Sequence, residues 1–126
     1  MRLPDFLRRS HGSAAVEFAF VGPVFIAAIM TVMQSGMVLW TQLGMEHAVE
    51  SAARCAAIDT TICSSPSATQ DYAASQAYGL KLPASTFAYS RNACGSFVTA
   101  SHTFYLLTKD YPAASLALNA QACFPI

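Results

Sequence analysis

The stretch that decides the fold is GSAAVEFAFVGPVFIAAIMTVMQSGMVLW, residues 12–40. It holds one carboxylate, Glu17, at its front edge, and the chain then runs uncharged from Phe18 to Met45, 28 residues. As a helix rising about 1.5 Å per residue, that run extends about 42 Å. A bilayer core of about 30 Å asks for about 20 apolar residues, so the segment predicts a membrane-spanning helix. The other parts of the chain take their meaning from it.

In front stands MRLPDFLRRSHG, in which Arg2, Arg8 and Arg9 outweigh Asp5 and leave a formal +2. The remaining chain balances this with −2. Positive charge ahead of an apolar span keeps that end cytoplasmic. The residues beyond the span are therefore expected in the periplasm of a single-pass protein of the inner (plasma) membrane. An ordinary secretory signal fits poorly, because the apolar run exceeds the usual about 7–15 residues and no convincing small-residue cleavage site follows. Arg8-Arg9 is a weak twin-arginine signal, since His11-Gly12-Ser13 continues it badly.

Beyond the span, MEHAVESAARCAAI (45–58) lacks glycine and proline and is rich in alanine, so it continues the helix out of the bilayer. Gly44, Ala48, Ala52 and Cys55 recur at helical spacing and offer a small-residue face for another element. Asp59-Thr60-Thr61 should end the helix. Ser64–Ser67 reads as a turn, and Ala68–Tyr78 as a second helix ended by Gly79. Thr86–Arg91 and Ser96–Leu107 are strand-like, with the turn residues Asn92–Gly95 between them favouring an antiparallel pair. Ser115–Ala122 fits a third strand or a helix. The expected fold class is α+β: a long N-terminal transmembrane helix continuing into a small disulfide-stapled periplasmic domain with a second helix and a short antiparallel sheet. The expected division is 1–12 as leader, 13–58 as the long helix and 59–126 as the domain.

All four cysteines, Cys55, Cys63, Cys94 and Cys123, follow the span, and an even count in a small exported domain favours disulfides. Three pairings are possible. We favour Cys55–Cys63 with Cys94–Cys123, because each bridge ties a helix or strand end to its neighbour.

The residues Gly12, Ser13-Ala14-Ala15-Val16 and Glu17-Phe18 ahead of a long apolar helix resemble the processing site of type IV pilin-like precursors. The wider run GSAAVEFAFVGPVF, with EHAVESAARCAAI after the span, resembles the TadE-like family of pseudopilins from tight-adherence (Tad) pilus systems. The likeness covers residues 12–58 well and continues more loosely through DYAASQAYGL (71–80). Phe18 stands where some relatives carry tyrosine. The resemblance implies that a prepilin-type peptidase cuts after Gly12, and that Ser13, Glu17 and Phe18 flank the site. It also implies that Glu17 faces the freed Ser13 amino group of a neighbouring subunit. The bland alternative is that Glu17 sits at the interface and reaches water. Implied partners are other pilin-like subunits, the inner-membrane assembly platform and the peptidase.

Gly22-Pro23 should kink or loosen the helix, either as a tolerated membrane proline or as a flexible point. Glu46, His47 and Glu50 read as a solvated helix face and not as metal ligands. His102 reads as an outward strand residue. The sequence carries no nucleophile arrangement, phosphate loop or metal-spaced Cys/His set, so no catalytic residue, cofactor or metal is expected. Nor is a small-molecule substrate, and the exported part is not basic enough for nucleic acid. The leading expectation is a minor pilin or pseudopilin acting in pilus assembly, initiation or adhesion. The alternative is an unprocessed, membrane-anchored periplasmic binding or adaptor module. A tethered enzyme is least supported.

Overall fold

The computed structural model describes residues 11–107, 109–110 and 112–126. Of the leader expected at 1–12, residues 1–10 lie outside them, and His11 and Gly12 open the first helix. Helix α1 spans His11–Ile58, helix α2 Pro66–Ser75, and strands β1, β2 and β3 span Phe87–Asn92, Gly95–Leu107 and Pro112–Phe124. A single 3₁₀ turn, Ala84–Thr86, precedes β1. The chain is thus mixed α+β, as expected. By internal contacts it divides into two compact units, Met1–Ser35 and Gly36–Ile126.

In the first unit the described residues are all helical, and the apolar side chains point outward on every side. Phe18 is 77 % exposed and Phe20, Val24 and Val32 are similarly bare. The most apolar window of α1 has a mean hydropathy of 2.1, and none of it is buried. A helix apolar all round suits lipid or a crowd of like helices, not water. Its polar groups are tucked away accordingly. Thr31 Oγ1 donates to the Ala27 carbonyl and Ser35 Oγ to the Thr31 carbonyl, each at 2.8 Å. Such back-bonding satisfies a hydroxyl without water. The helix runs on through Pro23, whose ring leaves the Ala19 carbonyl without its usual donor.

In the second unit, Met45, Ala48, Val49, Ala52 and Ala53 recur every three or four residues of α1 and are almost wholly buried. They meet Ala73 of α2, Ala77 just beyond it, and the inner face of the sheet in one core cluster. The sheet is antiparallel in the order β1-β2-β3. Its register sets Phe87 against Ala100 and Ala100 against Ala120, a cross-strand row facing the helices. The third segment, ambiguous in sequence, is therefore a strand. β2 alternates buried and half-buried residues as far as Ala100, and from Ser101 onward none is fully buried. The outer half of the β2–β3 hairpin thus carries no fully buried position of β2.

Helix α2 begins two residues earlier than expected. Ser65 is its N-cap, accepting from the Ala68 N–H at 3.1 Å, and Pro66 takes the first turn. Serine followed by proline suits a helix start as well as a turn, because proline there gives up an N–H that no helical carbonyl would receive. The helix also ends earlier, at Ser75, with the Gln76 N–H closing on the Tyr72 and Ala73 carbonyls. His102 corrects another expectation. It shares the strand parity of Val98 and Ala100, pairs with buried Leu118 and is half-buried on the core side of the sheet.

Candidate processing and assembly site

Gly12, Ser13, Glu17 and Phe18 occupy the opening turns of α1, and all four are exposed. Ser13 and Glu17 are four residues apart and so share a helix face. The Gly12–Ser13 bond lies inside the first helical turn, and a Cβ at Gly12 would meet nothing within 4 Å. A peptidase that needs an extended backbone would have to unwind this turn. Glycine makes that easy, since it costs a helix roughly 0.8–1 kcal/mol relative to alanine. Phe18 lies over the next turn, where its ring edge is 3.8 Å from the position a Cβ would take on Gly22. The local chemistry is therefore a loosely held helix start followed by a single carboxylate and a bulky aromatic ring.

Residues 12–54 match the model of the TadE-like protein family. The TadE-like segment thus holds Gly12, Glu17 and the whole apolar run, and stops one residue before Cys55. The likeness is confined to this segment, and residues 55–126 lie beyond it. No curated protein and no solved structure matches the chain. The disulfide-bearing part beyond the TadE-like segment is accordingly read from its own chemistry.

That part is closed by Cys55–Cys63 and Cys94–Cys123, the pairing favoured from the sequence. The first bridge joins the last turn of α1 to the loop after it. Within that loop Asp59 accepts from the N–H and hydroxyl of Thr61 and from the Ile62 N–H, at 2.6–3.1 Å. These bonds, the Thr61 hydroxyl first, hold the Asp59 carboxyl below the usual carboxylate range. The second bridge joins the β1–β2 turn to the end of β3. Tyr89, on β1, has its phenol held below its usual value by the nearby Ser96 hydroxyl and by the Arg91 guanidinium, while burial works the other way. Ser96 Oγ is buried without a partner of full hydrogen-bond geometry, so the Arg91 contact at 3.2 Å is the firmer influence.

The groups weighed as metal ligands do not converge. Glu46 accepts from Gln42 Nε2 at 2.8 Å, while the His47 ring stacks on Tyr78 with centroids 4.5 Å apart. Among the described residues no group of three or more His, Cys, Asp or Glu side chains gathers for a metal. A depression of about 380 Å³ lies beside Arg54, Asp59 and Tyr72, but Asp59 is already engaged by its own loop. Sequence reasoning missed the cluster of Trp40, His47 and Tyr78. Its only signal was a lone tryptophan at the end of the apolar run.

Proposed function

We propose that the chain is a minor pilin or pseudopilin of a Tad pilus, cut after Gly12 and anchored by α1 in the inner membrane. Its leader is cytoplasmic and its C-terminal part periplasmic, and the processed protein enters or primes a pilus. The observation that carries this reading is Glu17. It is the lone carboxylate of the outward-facing apolar stretch of α1, which is uncharged from Phe18 to Met45, and it stands five positions after Gly12 within the TadE-like segment. Such a charge in an apolar setting is costly unless it is paired. Cleavage would free an amino group on Ser13, with an ordinary pKa of about 7.7–8.0, as the matching cation. Glu17 of one subunit against Ser13 of the next would fix axial register in a filament. Processing partners are a prepilin-type peptidase and the assembly platform.

The test is the intact mass of the protein isolated from its native membrane. A mature chain beginning at Ser13 is expected, and Gly12→Val should abolish the cut. An intact leader would favour an unprocessed membrane-anchored adaptor, and a cut beyond Ala28 would remove the anchor from this account.

A further inference from the structure

The turn after α2 presents a tyrosine in a backbone conformation that suits it badly. The Leu80 N–H donates to the Ala77 carbonyl at 2.9 Å, closing a four-residue turn. Both central residues have positive φ, Tyr78 at 47° and Gly79 at 75°. This is the pattern of a type I′ turn, whose first central position prefers asparagine, aspartate or glycine. A bulky aromatic residue there needs a reason beyond the turn.

The surroundings supply one. Gly44 of α1 lets the turn press against the helix, since a Cβ there would fall 2.6 Å from Leu80 Cδ1 and 3.3 Å from the Ala77 carbonyl oxygen. Tyr78 is thereby laid flat on His47, with planes 9° apart, and brought within 6.0 Å of the Trp40 ring. Yet neither aromatic is buried by the contact: Trp40 is 52 % exposed and Tyr78 53 %. Leu39 and Leu43 are bare beside them, and Lys81 is exposed three residues after Tyr78. On α1 the next charge after Glu17 is Glu46, six residues past Trp40 and so about 9 Å further along the helix.

We propose that Trp40, Tyr78 and Lys81 form a platform seated in the outer interface of the bilayer that α1 crosses, so that the second unit itself rests on phospholipid headgroups. This rests on the membrane-spanning reading above. The 22 uncharged residues from Phe18 to Leu39 cover a core of about 30 Å, which brings Trp40 to the level where it ends. Tryptophan and tyrosine favour that level, where a ring meets acyl chains and its polar edge meets water. Lys81, exposed three residues after Tyr78, attracts lipid phosphate. The interval of about 9 Å between Trp40 and Glu46 exceeds a headgroup layer of about 5–7.5 Å, so that the carboxylate reaches water.

The chain has a single tryptophan, which makes the platform directly measurable. The full chain is reconstituted in phosphatidylcholine vesicles carrying a spin label at either the headgroup or the mid-chain level. Trp40 should be quenched more by the shallow label than by the deep one. In Trp40→Phe/Tyr78→Trp, with both disulfides verified by peptide mapping, the relocated indole should again prefer the shallow label and resist aqueous iodide. If the turn rejects indole, Trp40→Phe/Lys81→Trp places the reporter at the exposed position three residues further on, with the same expectation. Lipid quenching of Trp40 with free access of iodide to the relocated indole would overturn the platform and leave the span standing, as for a surface reserved for another subunit. Absence of lipid quenching at every position would overturn the platform by removing the span beneath it.

Discussion

The two units use apolar residues in opposite ways. Before Ser35 they are large, outward and distributed around the helix; Phe18, Phe20, Phe25 and Val32 all stand bare. After Gly36 the same helix gathers small ones on one face, and Ala48 and Ala52 are completely buried. Hydropathy alone would rank the first stretch as the better core. What separates them is size and period. A helix can bring its axis close to a sheet only where the facing side chains are short and recur every three or four residues. A helix facing lipid has no such constraint.

The sharpest test of this contrast sits at Glu17, the lone charge among the described helical residues of the first unit. If Glu17 neutralises the Ser13 amino group of a neighbour, Glu17→Ala leaves that ammonium unpaired. Breaking one half of a buried pair costs about 3–5 kcal/mol, enough to reduce incorporation roughly 100-fold or more. Glu17→Gln should fail likewise, since an amide keeps the shape without the charge. Membrane insertion should survive, and so should the melting temperature of the second unit in detergent. Recovery of both variants with sheared pili compares these outcomes. Wild-type recovery of Glu17→Gln would make shape the explanation.

The second unit needs covalent help that the first does not. Its core is built largely of alanine, with Phe87 and Met45 among its few large buried side chains. Small domains bury too little surface to be comfortably stable without staples. Cys94 and Cys123 are 29 residues apart and Cys55 and Cys63 are 8 apart. Chain entropy then predicts a loss of about 3.6 kcal/mol for removing the longer loop and about 2.6 kcal/mol for the shorter. Serine replacement of each pair, followed by urea unfolding, measures the order. Membrane level should not change in either variant.

Much of this division is legible in the residues themselves. The uncharged run from Phe18 announces a span, and the Phe, Tyr, Val and Thr content of residues 86–107 announces paired strands. The cysteines at element ends point to their partners. The missed features depend on neighbours distant in sequence. Ser115–Ala122 is rich in alanine and leucine, which either period accommodates, and pairing with β2 makes it a strand. His102 looks like a polar residue bound for solvent, but its parity with Val98 turns it to the core side where the core runs out. Ser65-Pro66 reads as a turn because helix starts and turns share those residues. The Trp40–Tyr78–His47 cluster joins positions more than thirty residues apart, and no local pattern could join them.

The smallest expected effect separates the two uses of alanine most directly. Ala52 is completely buried against the rest of the second unit, while Ala28 is exposed in the first. Leucine is a good helix former, so neither Ala52→Leu nor Ala28→Leu should disturb α1 by propensity. At position 52 the added carbons have no space and must displace neighbouring side chains, a cost of about 1–3 kcal/mol. At position 28 they add apolar surface to a face already apolar, and insertion should be unchanged or slightly better. Urea unfolding of the second unit should therefore show a lower midpoint with an unchanged slope for Ala52→Leu and no change for Ala28→Leu. Equal tolerance at both positions would mean that the buried face has slack, and that small size is not what lets α1 approach the sheet. A loss at Ala28→Leu in pilus recovery alone would instead place a close helix partner on that side of the first unit.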